Sequence, residues 1–253
     1  MRTGSRAAVY RPRPRPRAGR VLVCLSYCGG GTAPFRRWAE TVPDDVELAL
    51  VCYPGREARF NTPFARDWVA LRDDVVHAVR GLVDRPYTLF GHSMGSWVAF
   101  ETAAQLDRLG VTPPSALVVS GGVAPHRRES RTDVPRSADS DDALVTWMRE
   151  FGQMSAVVAD EPELRKLAVE LLRADLEVTE SYRFVPGTRA TAPLRVLYGT
   201  EDTGAFSEVE RDWKSLADGG FEALELPGGH FYEADVWAAL PRWCTEAAPD
   251  AGR

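Results

Sequence analysis

Short apolar runs alternate with segments of helical periodicity along most of the chain. Apolar runs of four to eight residues bounded by turn residues are typical of buried strands, whereas apolar residues three or four positions apart indicate an amphipathic helix. Strands are expected at 21–26, 46–53, 87–90, 116–120, 194–199 and 221–226. Helices are expected at 67–84, 94–109, about 208–216 and near Asp235. This alternation predicts an α/β fold, with a mostly parallel sheet and helices on both faces.

One segment, about residues 124–189, interrupts the alternation because it contains no convincing strand. It carries two amphipathic stripes that predict helices: Leu144, Met148 and Phe151, then Leu164, Leu167, Leu171 and Leu172 with Pro162 in the first turn. A helical insertion between two strands packs most naturally over the strand ends, where open α/β sheets bind ligands. We therefore predict a helical lid. A separate helical subdomain without a gating role is the alternative.

Both ends of the chain depart from the pattern. Residues 1–19 contain R-P-R-P-R-P-R, whose prolines disfavour helix, so we expect a flexible Arg/Pro arm. An electrostatic docking arm for an acidic partner is the alternative. Residues 20–245 are expected to form one domain, followed by a tail at 246–253. The composition, 44% hydrophobic and 26% charged, is that of an ordinary globular protein.

Charge and cysteine usage narrow the function classes. A net charge of -5 argues against nucleic acid as the main partner, because such binding needs a cationic surface. The four cysteines form no C-x-x-C pair and are expected to be buried free thiols in a reducing cytoplasm. No apolar stretch has the length of a membrane span. A cytoplasmic monomer without membrane contact, metal or cofactor is expected.

The strongest chemical signal is Gly91-His92-Ser93-Met94-Gly95, which lies between a predicted strand and a predicted helix. The G-x-S-x-G pattern in this context indicates a nucleophile elbow, a sharp turn that exposes a serine hydroxyl. The helix N-terminus adds positive potential at that serine. We therefore predict Ser93 as a catalytic nucleophile, and a purely structural tight turn is the alternative.

A serine hydroxyl needs a base within hydrogen-bond reach and an acid that orients the base. In hydrolases with a nucleophile elbow of this kind, the acid follows the serine in the chain and the histidine comes last. His230 is the histidine that comes late enough, in P-G-G-H-F-Y after the last predicted strand. Asp202 follows the strand at 194–199 and is preferred as the acid, with Glu201 as its adjacent competitor.

An oxyanion hole requires two backbone N–H donors. One is expected from Met94, the residue after the nucleophile, and the other from Cys28, in the loop S-Y-C-G-G-G after the first core strand. Consecutive glycines suit a loop whose backbone approaches substrate closely. Tyr27, Gly29 and Phe231 are expected to bind substrate. The Cys28 thiol as a second nucleophile is the weaker alternative to a buried filler.

At these motifs the chain resembles the type II thioesterases, free-standing α/β-hydrolases that accompany modular polyketide synthases and nonribosomal peptide synthetases. The resemblance rests on Y-C-G-G-G, Y-P-G-R-E (53–57), F-G-H-S-M-G, L-R-A-D (172–175) and P-G-G-H-F (227–231), which span residues 21 to about 240. It implies the triad Ser93, Asp202 and His230 and the oxyanion amides of Met94 and Cys28. The family usually has proline in place of Ser26 and alanine in place of Cys28, and a backbone donor survives either change.

The resemblance implies an α/β-hydrolase fold and hydrolysis of acyl groups from the phosphopantetheine arm of acyl or peptidyl carrier proteins, without a cofactor of the enzyme's own. A carboxylesterase or lipase, an acyltransferase or cyclase, and a catalytically silent binding protein are the alternatives. The triad itself does not identify the leaving group.

Two further features stay open at this level. Arg36, Arg37, Arg56 and Arg59 form either a basic rim for an acidic carrier protein or ordinary solvated arginines. The stripes around Met148, Phe151, Leu167 and Leu171 either line an acyl channel or pack on the sheet.

Overall fold

The computed structural model describes residues 8–130, 134–202 and 206–246. Its strands form one sheet in the spatial order β1-β3-β2-β4-β5-β6-β7, parallel throughout except for the edge strand β1. The strands are β1 (Val9–Tyr10), β2 (Arg20–Leu25), β3 (Val46–Val51), β4 (Tyr87–His92), β5 (Ala116–Ser120), β6 (Leu194–Gly199) and β7 (Phe221–Leu226). The helices are α1 (Trp68–Arg80), α2 (Met94–Arg108), α3 (Asp141–Glu150), α4 (Ala156–Asp160), α5 (Pro162–Glu180), α6 (Phe206–Lys214) and α7 (Ala234–Thr245).

Alternation of side chains along the central strands separates two apolar layers. In β2, Val21, Val23 and Leu25 face one layer, while Leu22 and Cys24 face the other. The first layer is closed mainly by α1, α2 and the inserted helices, the second by α7 and a 3-10 helix at Ala33–Glu40. Both faces of strands β2 to β6 are therefore buried, as expected for central strands of a parallel sheet that helices cover on both faces. The predicted α/β architecture is confirmed.

The chain before the first core strand differs from the expected solvated arm. Val9 pairs with Val51 in an antiparallel bridge, which makes β1 an edge strand that the sequence pattern did not reveal. Further along, the amide of Arg15 donates to Glu47 Oε1 at 2.8 Å, and its guanidinium donates to the carbonyl oxygen of Val46 at 3.0 Å. The expectation of a flexible arm is therefore wrong for residues 8–19, and residues 1–7 lie outside the described part.

The described part of the insertion between β5 and β6 contains three α-helices where two stripes were predicted, the additional one being the short α4. Local signals start them: the hydroxyls of Ser140 and Ser155 accept from backbone amides of the first turns of α3 and α4, and Pro162 opens α5. Residues 131–133 of the insertion lie outside the described part. Its role as a moving lid stays a prediction.

The four cysteines are buried and free, as expected. In the ranges that the structure covers, none of the helices is both long and apolar enough to cross a bilayer.

Glu47 offers a test of how the N-terminal segment is held. Its carboxylate, 3% exposed, also accepts from Arg85 Nη2 at 2.7 Å, so Glu47→Gln removes a buried negative charge that pairs with the partly buried Arg85. We expect the free energy of unfolding, measured by urea denaturation, to fall by about 1–3 kcal/mol. Asp44→Asn, which removes a fully exposed partner of Arg15, is the control and should leave it unchanged. Equal effects of the two substitutions would show that the buried carboxylate does not hold the segment.

Candidate active site

Ser93 occupies a strained turn between β4 and α2. Its backbone has φ 55° and ψ -120°, a conformation that residues with a Cβ rarely adopt. The turn is possible because glycines flank it: a Cβ on Gly91 would collide with the Gly95 carbonyl, and one on Gly95 with the Leu25 carbonyl. The Ser93 amide donates to the carbonyl oxygen of Ser120 at 2.7 Å. The predicted elbow therefore has the backbone geometry that its sequence pattern indicates.

Asp202 and His230 meet across the loops that follow β6 and β7. His230 Nδ1 lies 3.0 Å from Asp202 Oδ2, and the side chains are 15% and 12% exposed. The loops approach closely because Gly199 has no Cβ, which would otherwise collide with the carbonyls of Gly228 and Gly229. Glu201 is exposed, and its amide donates to Gly228 O. The carboxylate that contacts the imidazole is therefore that of Asp202.

The serine and the histidine border the same cavity, of about 240 Å³. The loop after β5 lies close to both residues. A Cβ added to Gly121 would lie 3.4 Å from His230 Cε1, and one added to Gly122 would lie 3.2 Å from the carbonyl oxygen of Ser93. With Nδ1 engaged by Asp202, the other ring nitrogen, Nε2, is the one left for the serine. The structure thus brings together the three residues predicted as a triad.

The cavity is mainly apolar and lies beneath the insertion. Trp97 of α2 and Val123 contribute from the sheet side, and Trp147, Phe151 and Leu176 from the inserted helices. Of the two predicted stripes, only Phe151 reaches the cavity; Met148 is buried in the core, and Leu167 borders a separate surface depression. Trp97, Trp147 and Leu176 are lining residues that sequence reasoning missed, because helix rotation depends on tertiary packing.

Cys28 and Met94, the predicted oxyanion residues, line this cavity beside Ser93. Burial raises the pKa of the Cys28 thiol well above its usual value, with the nearby Asp175 charge acting in the same direction. The thiol is therefore protonated at neutral pH and is a poor nucleophile. The structure supports the interpretation of this side chain as buried filler.

The residues predicted to bind substrate lie in two different surroundings. Tyr27 and Phe231 stack edge to face with ring centroids 4.7 Å apart, and both line a second cavity of about 550 Å³ that also includes Arg37 and Trp237. The Gly29 amide donates to Asp175 Oδ2 at 2.7 Å. Substrate contact by these three residues stays a prediction.

The suggested basic rim is wrong for two of its four arginines. Arg56 and Arg59 are 3% and 9% exposed and form bidentate ion pairs with Asp175 and Asp74 respectively. Asp175 lies 119 positions after Arg56, so no local pattern indicates that this arginine is buried. Arg36 is half exposed and pairs with Glu57 at 3.3 Å.

A row of hydrogen-bonded, buried polar side chains lies next to the predicted base. His92 Nδ1 lies 3.0 Å from Ser120 Oγ, which in turn lies 2.7 Å from the Tyr232 hydroxyl. The His92 and His230 ring centroids are 5.0 Å apart. Burial, and to a lesser degree the proximity of His230, hold the pKa of His92 well below its usual value. His92 is therefore a neutral neighbour of the predicted base, a role that sequence reasoning missed.

Metal-ligating groups do not converge at the site. Within residues 8–130, 134–202 and 206–246, no three side chains of the histidine, cysteine, aspartate and glutamate types are arranged to hold a metal ion.

A parallel sheet with a serine elbow after β4, an acid loop after β6 and a histidine loop after β7 defines the α/β-hydrolase class. The profile of the family described as "Thioesterase domain" matches residues 20–242. The chain therefore belongs to the thioesterase domain family, and it is an enzyme of the thioesterase type.

Individual relatives agree over nearly the whole chain. Thioesterase PikA5 of Streptomyces venezuelae is 32% identical over 250 residues, covering 96% of this chain and 88% of its own length. The medium-chain S-acyl fatty acid synthase thioesterase of Rattus norvegicus is 32% identical over 215 residues, covering 83% of this chain and 80% of its own. The solved structure of the type II thioesterase BorB from the borrelidin biosynthetic cluster superposes with a TM-score of 0.85 at 30% identity, covering 95% and 97% of the two chains. The resemblance to type II thioesterases is confirmed.

Asp202→Asn tests the acid. The amide would hold His230 in the wrong tautomer, so we expect kcat for ester or thioester hydrolysis to fall by about 10³–10⁴-fold with the fold intact by circular dichroism. Glu201→Gln is the matched control and should retain near-normal turnover. The reverse ranking of the two variants would move the acid to Glu201.

The neutral, buried His92 predicts a loss of stability in acid. Its folded-state pKa is lowered, so below about pH 6.5 the unfolded chain takes up a proton that the folded chain does not. The free energy of unfolding should then decrease with falling pH, by at most about 1.4 kcal/mol per pH unit from this group. Urea denaturation at pH 7.5 and 5.5 should show a smaller pH dependence for His92→Gln than for wild type. His77→Gln, at an exposed position of α1, is the control. An unaltered pH dependence in His92→Gln would contradict the assignment.

Proposed function

We propose that the protein hydrolyses acyl thioesters held on the phosphopantetheine arm of carrier proteins, as an editing or chain-releasing enzyme of polyketide or nonribosomal peptide assembly. The observation that carries this proposal is that Ser93 and His230 border one cavity under the inserted helices, with Asp202 in contact with the His230 imidazole. Similar proteins named as type II thioesterases of biosynthetic clusters or of an NRPS/PKS pathway support the choice of substrate class.

The acylation step follows from the arrangement of the triad. His230 takes the proton of Ser93 Oγ as this oxygen attacks the thioester carbonyl, and Asp202 stabilises the resulting imidazolium. The amides of Met94 and Cys28 donate to the developing oxyanion. The C–S bond then breaks, and the pantetheine thiol leaves with a proton from His230. Because a thiol has a pKa of about 8.5, it needs little acid assistance to leave.

Deacylation reuses the same groups. His230 removes a proton from water, which attacks the acyl-serine carbonyl, and Ser93 recovers its proton as the carboxylic acid is released. The apolar walls formed by Trp97, Trp147 and Phe151 suit the hydrocarbon part of an acyl chain. Arg128, Arg136 and Glu180, which also border the cavity, add polar contacts for a functionalised chain.

The decisive experiment loads a carrier protein with acyl chains of several lengths and follows its mass after the enzyme is added. We expect rapid loss of acyl groups with wild type and no loss with Ser93→Ala. When the reaction runs in ¹⁸O-labelled water, the released acid should contain one ¹⁸O atom.

Other outcomes would replace the proposal. Hydrolysis of simple aryl esters without hydrolysis of carrier-bound chains would favour a carboxylesterase. Release of a product that contains no ¹⁸O from water would favour acyl transfer or cyclisation. Failure of a fluorophosphonate to label Ser93 would favour a catalytically silent binding protein.

A further inference from the structure

A deeply buried ion pair joins the insertion to the segment that follows β3. Arg56 Nη1 lies 2.8 Å from Asp175 Oδ2 and Arg56 Nη2 lies 2.6 Å from Asp175 Oδ1, with the side chains 3% and 4% exposed. Arg56 follows β3, whereas Asp175 belongs to α5. Removing two charges from water is costly, and their mutual attraction compensates for this cost only when further hydrogen bonds complete the arrangement. Such a pair by itself is therefore weak support for stability.

The remaining hydrogen bonds of the pair go to the loop that carries Cys28. The Gly29 amide donates to Asp175 Oδ2 at 2.7 Å, and Arg56 Nη1 donates to the Gly30 carbonyl oxygen at 2.6 Å. The pair thus fixes a donor and an acceptor of two consecutive residues. Because Gly29 N belongs to the peptide group that follows Cys28 Cα, its direction restricts the backbone dihedral ψ of Cys28.

Two neighbouring contacts hold the rest of the same loop. The Glu57 carboxylate accepts from the Thr32 amide at 3.0 and 3.1 Å, and the Tyr53 hydroxyl donates to the Ser26 carbonyl oxygen at 3.1 Å. Both side chains come from Y-P-G-R-E, the segment that also supplies Arg56. The segment thus supports the loop on both sides of Cys28.

The insertion also approaches the loop through its backbone. Gly29 has φ 76°, and a Cβ there would lie 3.3 Å from Leu172 Cα in α5. The Cys28 Sγ atom lies 4.0 Å from the Leu172 carbonyl oxygen. Helix α5 and the loop are therefore in contact along the turn that precedes Asp175.

We propose that Arg56 and Asp175 are positioning residues that orient the Cys28 amide as an oxyanion donor and make this orientation depend on the seating of α5. The inference deepens the proposed function and rests on its assignment of the Cys28 amide. An oxyanion donor stabilises the transition state only when it is preorganised. When Asp175 loses its charge or Arg56 its fork, the loop loses its fixed peptide plane while the apolar cavity retains its walls.

The experiment compares Asp175→Asn and Arg56→Lys with Asp74→Asn. The control breaks a similar bidentate pair, Arg59 with Asp74, in which Arg59 donates to Cys52 O and does not contact residues 28–30 in the hydrogen bonds described. Kinetics with an aryl ester give kcat and KM. Inhibition by an acyl trifluoromethyl ketone, whose adduct with Ser93 carries an oxyanion, is compared with inhibition by the corresponding methyl ketone.

We call Asp175→Asn and Arg56→Lys the clamp variants, because each breaks the ion pair that holds the loop. We expect kcat to fall by about 10–10³-fold in both clamp variants with little change in KM. The affinity for the trifluoromethyl ketone should fall in proportion to kcat, while that for the methyl ketone stays constant. Asp175→Glu, which keeps the charge, should recover part of kcat. The control should change neither kcat nor the ratio of the two inhibition constants. Urea denaturation selects variants that remain folded, and Arg56→Lys tests the inference if Asp175→Asn does not fold.

Folded clamp variants whose kcat and inhibition ratio match those of Asp74→Asn would overturn the inference. This result is distinguishable from failure of the proposed function. In that case wild type itself would show no Ser93-dependent hydrolysis of carrier-bound thioesters, whereas the clamp comparison requires only hydrolysis of the aryl ester.

Discussion

The strained backbone at Ser93 is the constraint on which the other parts of the site depend. A residue with a Cβ is held at φ 55° where β4 ends and α2 begins, and this is possible only because Gly91 and Gly95 leave room for the turn. Strain of this kind persists where surrounding structure enforces it. Here a central strand, buried on both faces, and a buried helix enforce it from the two sides. The hydroxyl consequently stands at the edge of the sheet where the loops after β2, β5, β6 and β7 converge.

The loops after β2, β6 and β7 carry the predicted oxyanion donor, acid and base, and different interactions hold them in place. The imidazole of His230 is oriented by Asp202, and its loop is further held through Tyr232 and Ser120 to the buried His92. The loop after β2 is held by a buried ion pair that includes a residue of the insertion. The inserted helices therefore have two structural roles: they form walls of the cavity proposed to hold the acyl chain, and one of them completes the support of the loop proposed to supply an oxyanion donor.

Much of this arrangement was predictable, because strand patterns and chain order are local properties. Ser93, Asp202 and His230 each follow a recognisable apolar strand, and parallel strands bring such positions to one edge. The edge strand at Val9–Tyr10 was not predictable, since two residues before a proline-rich run give no periodic signal. The burial of Arg56 was not predictable either, because its partner lies 119 positions along the chain. Likewise, the residues of α5 that reach the cavity follow from helix rotation, which packing decides.

A crystal structure of the protein with an alkyl phosphonate bonded to Ser93 Oγ tests how the elbow and the loop after β2 act together. We expect one phosphonyl oxygen to accept hydrogen bonds of about 2.7–3.1 Å from the amides of both Met94 and Cys28, with the alkyl chain in the cavity lined by Trp97 and Phe151. A phosphonyl oxygen that points to solvent, or that is held by Met94 without Cys28, would contradict this expectation.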